Sequence, residues 1–188
     1  MKIEKIVFLI IFFVSININA IEFGSDTGFE LPRFVSIKSN DANLRIGPSK
    51  NYPIKIKYIV KNYPLIITEE YMDWRKVSDF HNKKGWIHKS LLKGERYGII
   101  KSKEEKYVKV YNTISGIHVG NVYVDNIVKL NKCKPKWCLI KINEYKGWVE
   151  KKYIWGTKEK EIFNISFFQG ITDIYWKLNN ILYELIIK

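Results

Sequence analysis

The stretch Lys84-Gly85-Trp86-Ile87-His88-Lys89-Ser90-Leu91-Leu92-Lys93-Gly94 recurs as Lys146-Gly147-Trp148-Val149-Glu150-Lys151-Lys152-Tyr153-Ile154-Trp155-Gly156. Both copies run Gly-Trp-aliphatic and close on a glycine at the same separation. Upstream of each lies a second tryptophan in a strand-like run, Asp73-Trp74-Arg75-Lys76-Val77 and Lys136-Trp137-Cys138-Leu139-Ile140. Self-similarity at a period of about sixty residues means two copies of one small unit. A chain of 188 residues has room for two such units.

Within the first unit, apolar and polar residues alternate over short runs. Leu44 and Ile46 alternate with Asn43 and Arg45, and Ile54, Ile56 and Tyr58 with Lys55 and Lys57. Period two marks strands with one buried face. Gly47-Pro48 and Asn62-Tyr63-Pro64 are turns, since proline denies a ladder its donor. Runs at 65–71, 73–77 and 86–88 complete the set. Short strands at close spacing with no long helical period predict an all-β unit, a small barrel or sandwich. Aromatic content of 15% fits units that have little core per residue. The boundaries read 33–97 for the first repeat and 98–157 for a degenerate second.

Ala42-Asn43-Leu44-Arg45-Ile46-Gly47-Pro48-Ser49, the strand-borne Trp74, and Gly85-Trp86-Ile87 running to Gly94 resemble the bacterial SH3-like (SH3b) domain. The layout as a whole resembles exported tandem SH3-like proteins of unassigned function. The resemblance covers residues 33–156. It implies two tandem SH3-like β-barrels, each with a long first loop and a short helical turn, near Lys89 to Leu92 in the first. It also implies a ligand class, the stem peptides or cross-bridges of peptidoglycan, or other extended peptide segments.

The second unit departs from the pattern. It has Val108-Lys109-Val110-Tyr111-Asn112 where the first has Leu44-Arg45-Ile46-Gly47-Pro48, which sets Lys109 in place of Arg45. Cys133-Lys134-Pro135-Lys136-Trp137-Cys138 reads as a hairpin tip with its flanks joined by a disulfide. A redox or metal-binding pair is the sharper reading, but Cys-x4-Cys is not the usual thiol-redox spacing and no further ligands lie nearby.

Residues 1–20 read as a signal peptide: Lys2 and Lys5 precede an apolar run from Ile6 to Ile16, and Ala20 is a small residue at a cleavage position. Retention as an anchor is the other reading. Either places the remainder outside the cytoplasm, in the periplasm or cell envelope, where cysteines oxidise. Residues 21–32 read as a flexible leader. The tail, 158–188, carries Ile171, Ile174, Leu178, Ile181 and Leu185 at alternating spacings of three and four, an amphipathic helix pattern. Packing on the second barrel, self-association, a protein partner and a membrane surface all stay open for it. The net charge of +13 invites an anionic partner. The excess is nearly all lysine, in a chain rich in Ile, Asn and Tyr, as an AT-rich genome would encode. Export argues against nucleic acid.

No catalytic constellation emerges. His81, His88 and His118 form no paired motif, no cofactor or metal site is indicated, and the chain after Gly156 is too short for a hydrolase domain. The expectation is a non-catalytic binding module, or an envelope adaptor acting through its barrels or its C-terminal helix. Tyr52, Tyr58 and Trp74 are the expected stacking residues. Arg45 either holds the long loop through Asp73 or Asp79 or meets a ligand carboxylate. Trp86 and Trp148 read as barrel filling, Trp74 and Trp137 as rim residues.

Overall fold

The computed structural model describes residues 21–164. The expected signal peptide and the 171–185 helix lie outside them. The chain opens on a two-stranded hairpin of β1 (Glu22–Phe23) and β2 (Glu30–Leu31). β3 (Arg33–Ile37), β4 (Ala42–Arg45), β5 (Ile54–Tyr58), β6 (Pro64–Tyr71), β7 (Trp74–Ser78), β8 (Lys84–His88) and β9 (Leu92–Lys93) then form an antiparallel sheet ordered β5-β4-β8-β7-β6-β3-β9. β10 (Tyr97–Ile100), β11 (Tyr107–Tyr111), β12 (His118–Tyr123), β13 (Ile127–Cys133), β14 (Trp137–Ile142), β15 (Tyr145–Glu150) and β16 (Ile154–Trp155) repeat it as β12-β11-β15-β14-β13-β10-β16. Strand for strand the orders are the same, so the repeat is one of topology as well as sequence. Tyr97, assigned above to the first repeat, pairs in the second sheet.

Alternation sets each core. Val35, Ile37, Leu44, Leu65, Ile67, Val77 and Ile87 fill the first barrel. Ile100, Val108, Val122, Val128, Leu130, Ile140, Val149 and Ile154 fill the second. Short 3-10 turns, Lys89–Leu91 and Lys151–Tyr153, lead into the closing strands. Left-handed residues at the tight turns include Asn62, Asn82, Asp125 and Asn143, side chains that tolerate positive φ.

Residues 21–32 are not a flexible leader. They form a strap held by Glu70, whose side chain is fully buried. Its carboxylate accepts from Thr27 Oγ1 at 2.7 Å, Thr27 N at 2.9 Å, Asp26 N at 3.1 Å and Arg33 at 2.9 Å. Arg75, buried beside it, bonds Asp26 as well as the carbonyls of Met72 and Trp74. A Cβ on Gly24 would lie 2.3 Å from the Glu70 carboxyl, so only glycine lets the strap approach so closely.

Glu70 pairs with Arg75 across β6 and β7, and Cys133 pairs with Cys138 at the equivalent place across β13 and β14. The cysteines are disulfide-bonded. A second strap crosses there: Phe163 exchanges both backbone hydrogen bonds with Cys133 at 3.2 Å. The straps share a further device. Arg33 and Arg96 stand at equivalent positions, each four residues before the β-residue that pairs with the closing strand, Ile37 and Ile100. Arg33 bonds Glu70 and stacks on Phe29; Arg96 bonds Glu161 and stacks on Phe163.

The barrels meet reciprocally. Trp155 of the second packs edge-on against Phe34 and Phe80 of the first, at 5.4 and 5.6 Å between centroids, while Lys93 of the first lies over Tyr97 of the second. Lys158 reaches Glu30 at 2.6 Å, joining one strap to the other.

The two closures respond to different conditions. Burial alone would raise the Glu70 pKa. The hydrogen bonds from Thr27, Arg33 and Asp26 outweigh it and hold the carboxyl at about 2, against an ordinary 4.5. The depressed value means this contribution is complete above pH 4.5 and is lost as pH falls toward 2. Glu70→Gln is expected to lower unfolding free energy at neutral pH by about 3 kcal/mol and to flatten its dependence on pH between those values; urea melts across the range measure both. Reduction of Cys133–Cys138 is expected to cost about 2 kcal/mol in the same assay, leaving the acid limb unaltered.

Candidate binding face

The β7–β8 hairpin shows how the first barrel presents side chains. Arg75, Val77, Gly85 and Ile87 point inward and are buried. Trp74, Lys76, Trp86 and His88 therefore share the outer face, half-buried. Cross-strand register puts Trp74 beside His88, Lys76 beside Trp86, and Arg45 of β4 on the other side of Trp86. The Trp74 and His88 rings meet edge to face at 5.4 Å. Lys76 Nζ lies 5.9 Å from the Trp86 ring centroid. Cations thus flank one indole, and a hydrogen-bonding ring abuts the other. His88 Nδ1 accepts from Ser90 N at 3.3 Å and lies 2.8 Å from Ser90 Oγ, which fixes the imidazole.

Trp86 and Trp148 are not barrel filling. Glycine takes the inward position before each because β4 or β11 crosses there: a Cβ on Gly85 would lie 2.6 Å from the Arg45 carbonyl oxygen, and one on Gly147 2.2 Å from Val110. The indoles are turned outward as a consequence.

Arg45 donates to the Tyr52 carbonyl at 2.7 Å, so it does hold the long loop, though through neither Asp73 nor Asp79. Asp73 pairs with Lys89 at 2.9 Å instead. Tyr52 is exposed, its ring lying against Gly47, where a Cβ would come within 2.6 Å. Tyr52, Arg45 and Trp86 are thereby linked through one loop and one register position. Tyr58 does not join them. It is buried in the core, with its hydroxyl donating to Asp79 Oδ2 at 3.0 Å. Burial, then the Asp79 charge, raises its pKa well above the ordinary phenol value. Of the four expected residues, the structure gathers Arg45, Tyr52 and Trp74 on or beside the outer face and removes Tyr58. Trp86, His88 and Lys76 join it.

The second barrel carries the same face with altered chemistry. Tyr111, not Lys109, stands opposite Trp148 as Arg45 stands opposite Trp86. Lys109 lies two residues earlier in the ladder, opposite Asn121. Tyr111 packs edge-on against Trp137 at 5.5 Å. Where the first barrel presents a guanidinium, the second presents a phenol.

The architecture is thus a tandem of small, strapped β-barrels with outward tryptophans. The bacterial SH3 domain family matches it in two segments, residues 38–94 and 122–156, one in each barrel. The second match begins at Val122, near the end of β12. Solved structures with similarity include an NlpC/P60 family protein from Bacillus cereus, at 12% identity and TM-score 0.29 over 65% of this chain and 55% of that one. NlpC1 from Trichomonas vaginalis aligns at 12% identity and TM-score 0.31 over 76% and 51%, and NlpC2 from the same organism at 10% and 0.30 over 72% and 52%. The chain spans about half the length of each. No curated protein matches it.

Tyr58→Phe is expected to lower stability by about 1 kcal/mol, through the lost bond to Asp79, and to leave the outer face intact. Trp86→Ala is expected to keep the fold while quenching much of the tryptophan response to any ligand on that face. Thermal melts and fluorescence titration test the pair.

Proposed function

We propose that the protein is a non-catalytic binding module of the cell envelope, exported by its N-terminal segment, that holds peptidoglycan stem peptides or cross-bridges on the outer face of the first barrel. The observation that carries this reading is the row Trp74–His88 and Lys76–Trp86–Arg45 on adjacent strands. Planar rings offer stacking area at small entropic cost, and Lys76 and Arg45 offer charge to carboxylates. Extended peptides with free carboxyl groups match both. The bacterial SH3 family supports the ligand class, and the disulfide supports an oxidising compartment.

The test is co-sedimentation with purified sacculi across a salt series. Saturable binding that persists at moderate salt, and falls about tenfold or more in folded Trp74→Ala and Trp86→Ala variants, is the expected result. No sedimentation even at low salt, or binding that ignores both tryptophans and disappears with salt, would refute it.

A further inference from the structure

The second barrel is open where the first is filled. The ladders give the correspondence. Ile56 pairs with Leu44, and Tyr58 with Ala42. Gly120 pairs with Val110, and Val122 with Val108. Gly85 and Gly147 abut Leu44 and Val110 respectively, which fixes the alignment. Gly120 thus takes the place of Ile56, and Val122 that of Tyr58. Asp79, which bonds Tyr58, follows Ser78 of β7; Ile142 follows Lys141 at the matching place in β14. An aliphatic side chain, a large phenol and its polar partner are replaced by a hydrogen, a valine and an isoleucine.

The space left is a groove of about 560 Å³, walled by Val110, Val119, Val122, Ile140, Ile142 and Tyr145. That is within the range of sites that take a ligand group. A Cβ on Gly120 meets nothing within 4 Å. Val119 and Tyr145 of its lining stand exposed, as do Ile117 just before β12 and Tyr123 at the end of β12.

The strand beside the groove is equally distinctive. β5 and β12 are equivalent edge strands, each at the end of its sheet. β5 follows Pro53 and carries Lys55 and Lys57, with Lys55 bonding the Lys84 carbonyl and Lys57 pairing with Asp41. Lysine and proline are how proteins guard an edge against another strand. Residues 117–123, Ile-His-Val-Gly-Asn-Val-Tyr, contain neither a charged Lys or Arg nor a proline. Among the described residues nothing pairs with the outer edge of β12.

We infer that this edge and groove are a second peptide site: an extended segment of another chain adds to β12 and drops one aliphatic side chain between Gly120 and Ile142. Main-chain bonds to the edge give affinity, and the groove selects the side chain. Lys146 at the rim favours an acidic residue flanking it. The site shares with the proposed function only its premise of an extended peptide ligand; it uses no residue of the first barrel's face.

The test is fluorescence anisotropy of the full chain with a labelled peptide, Asp-Thr-Val-Leu-Val-Thr-Glu, and a control with Asn in place of the central Leu. Gly120→Ile refills the groove as the first barrel does, into open space, so the fold should be kept; a thermal melt checks that. Saturable binding, weakened about tenfold or more both by the Asn control and by Gly120→Ile, is expected. Binding equal in the two proteins or the two peptides overturns the inference. So does absence of binding. A concentration-dependent dimer that Gly120→Ile dissolves would also overturn it, by assigning the edge to a second copy. Loss of sacculus binding with Gly120-dependent peptide binding retained would sink the proposed function alone; the converse would sink only this one.

Discussion

Each barrel depends on what joins the two strands at the turn between its fourth and fifth strands. In the first, Glu70 and Arg75 face one another there with no access to water. A buried carboxylate is tolerable only when its lone pairs are taken up, and here two backbone amides, a hydroxyl and a guanidinium do so. Three of those donors belong to the strap, so strap and barrel cannot be ordered separately. In the second, a covalent bond occupies the same pair of positions. It makes no demand for donors, so the second strap meets it through backbone bonds to Cys133 and is held from the side by Arg96 on Glu161.

This difference accounts for the asymmetry of the ends. The strap of the first barrel precedes it and brings polar groups, Asp26 and Thr27. That of the second follows it and brings Phe163 and Glu161. Both nonetheless finish on an arginine stacked under a phenylalanine, Arg33 under Phe29 and Arg96 under Phe163. The common feature is a flat cation that can be covered by an aromatic ring while its edge still reaches a glutamate.

Much of this was legible in the sequence: the repeat, the all-β class, the hairpin disulfide and the helical turn at Lys89. The misplacements have physical reasons. Recurrence of a tryptophan at the same place in both repeats suggests a core role for Trp86, yet Ile87 beside it is an inward residue and period two then sends Trp86 outward. Tyr58 falls to the same rule, since it alternates with Lys55 and Lys57 and so shares the inward face of Ile56. Lys109 was set against Arg45 because, without Gly47-Pro48, nothing local marks where the strand ends; only the crossing at Gly147 fixes the register. The strap was illegible for another reason. Its residues look like loop, and the carboxylate that orders them lies more than forty positions away.

The reciprocal packing of Trp155 on Phe34 and of Lys93 over Tyr97 has a consequence for any repetitive ligand. Barrels joined by a slack linker would search for a second attachment point over a wide volume. Here the aromatic contact removes that freedom, so the second encounter on one polymer is confined to a fixed span and orientation. For a polymer that met both barrels, spacing would then become a selectable property: a chain whose repeats fell at the wrong interval would engage one barrel at a time.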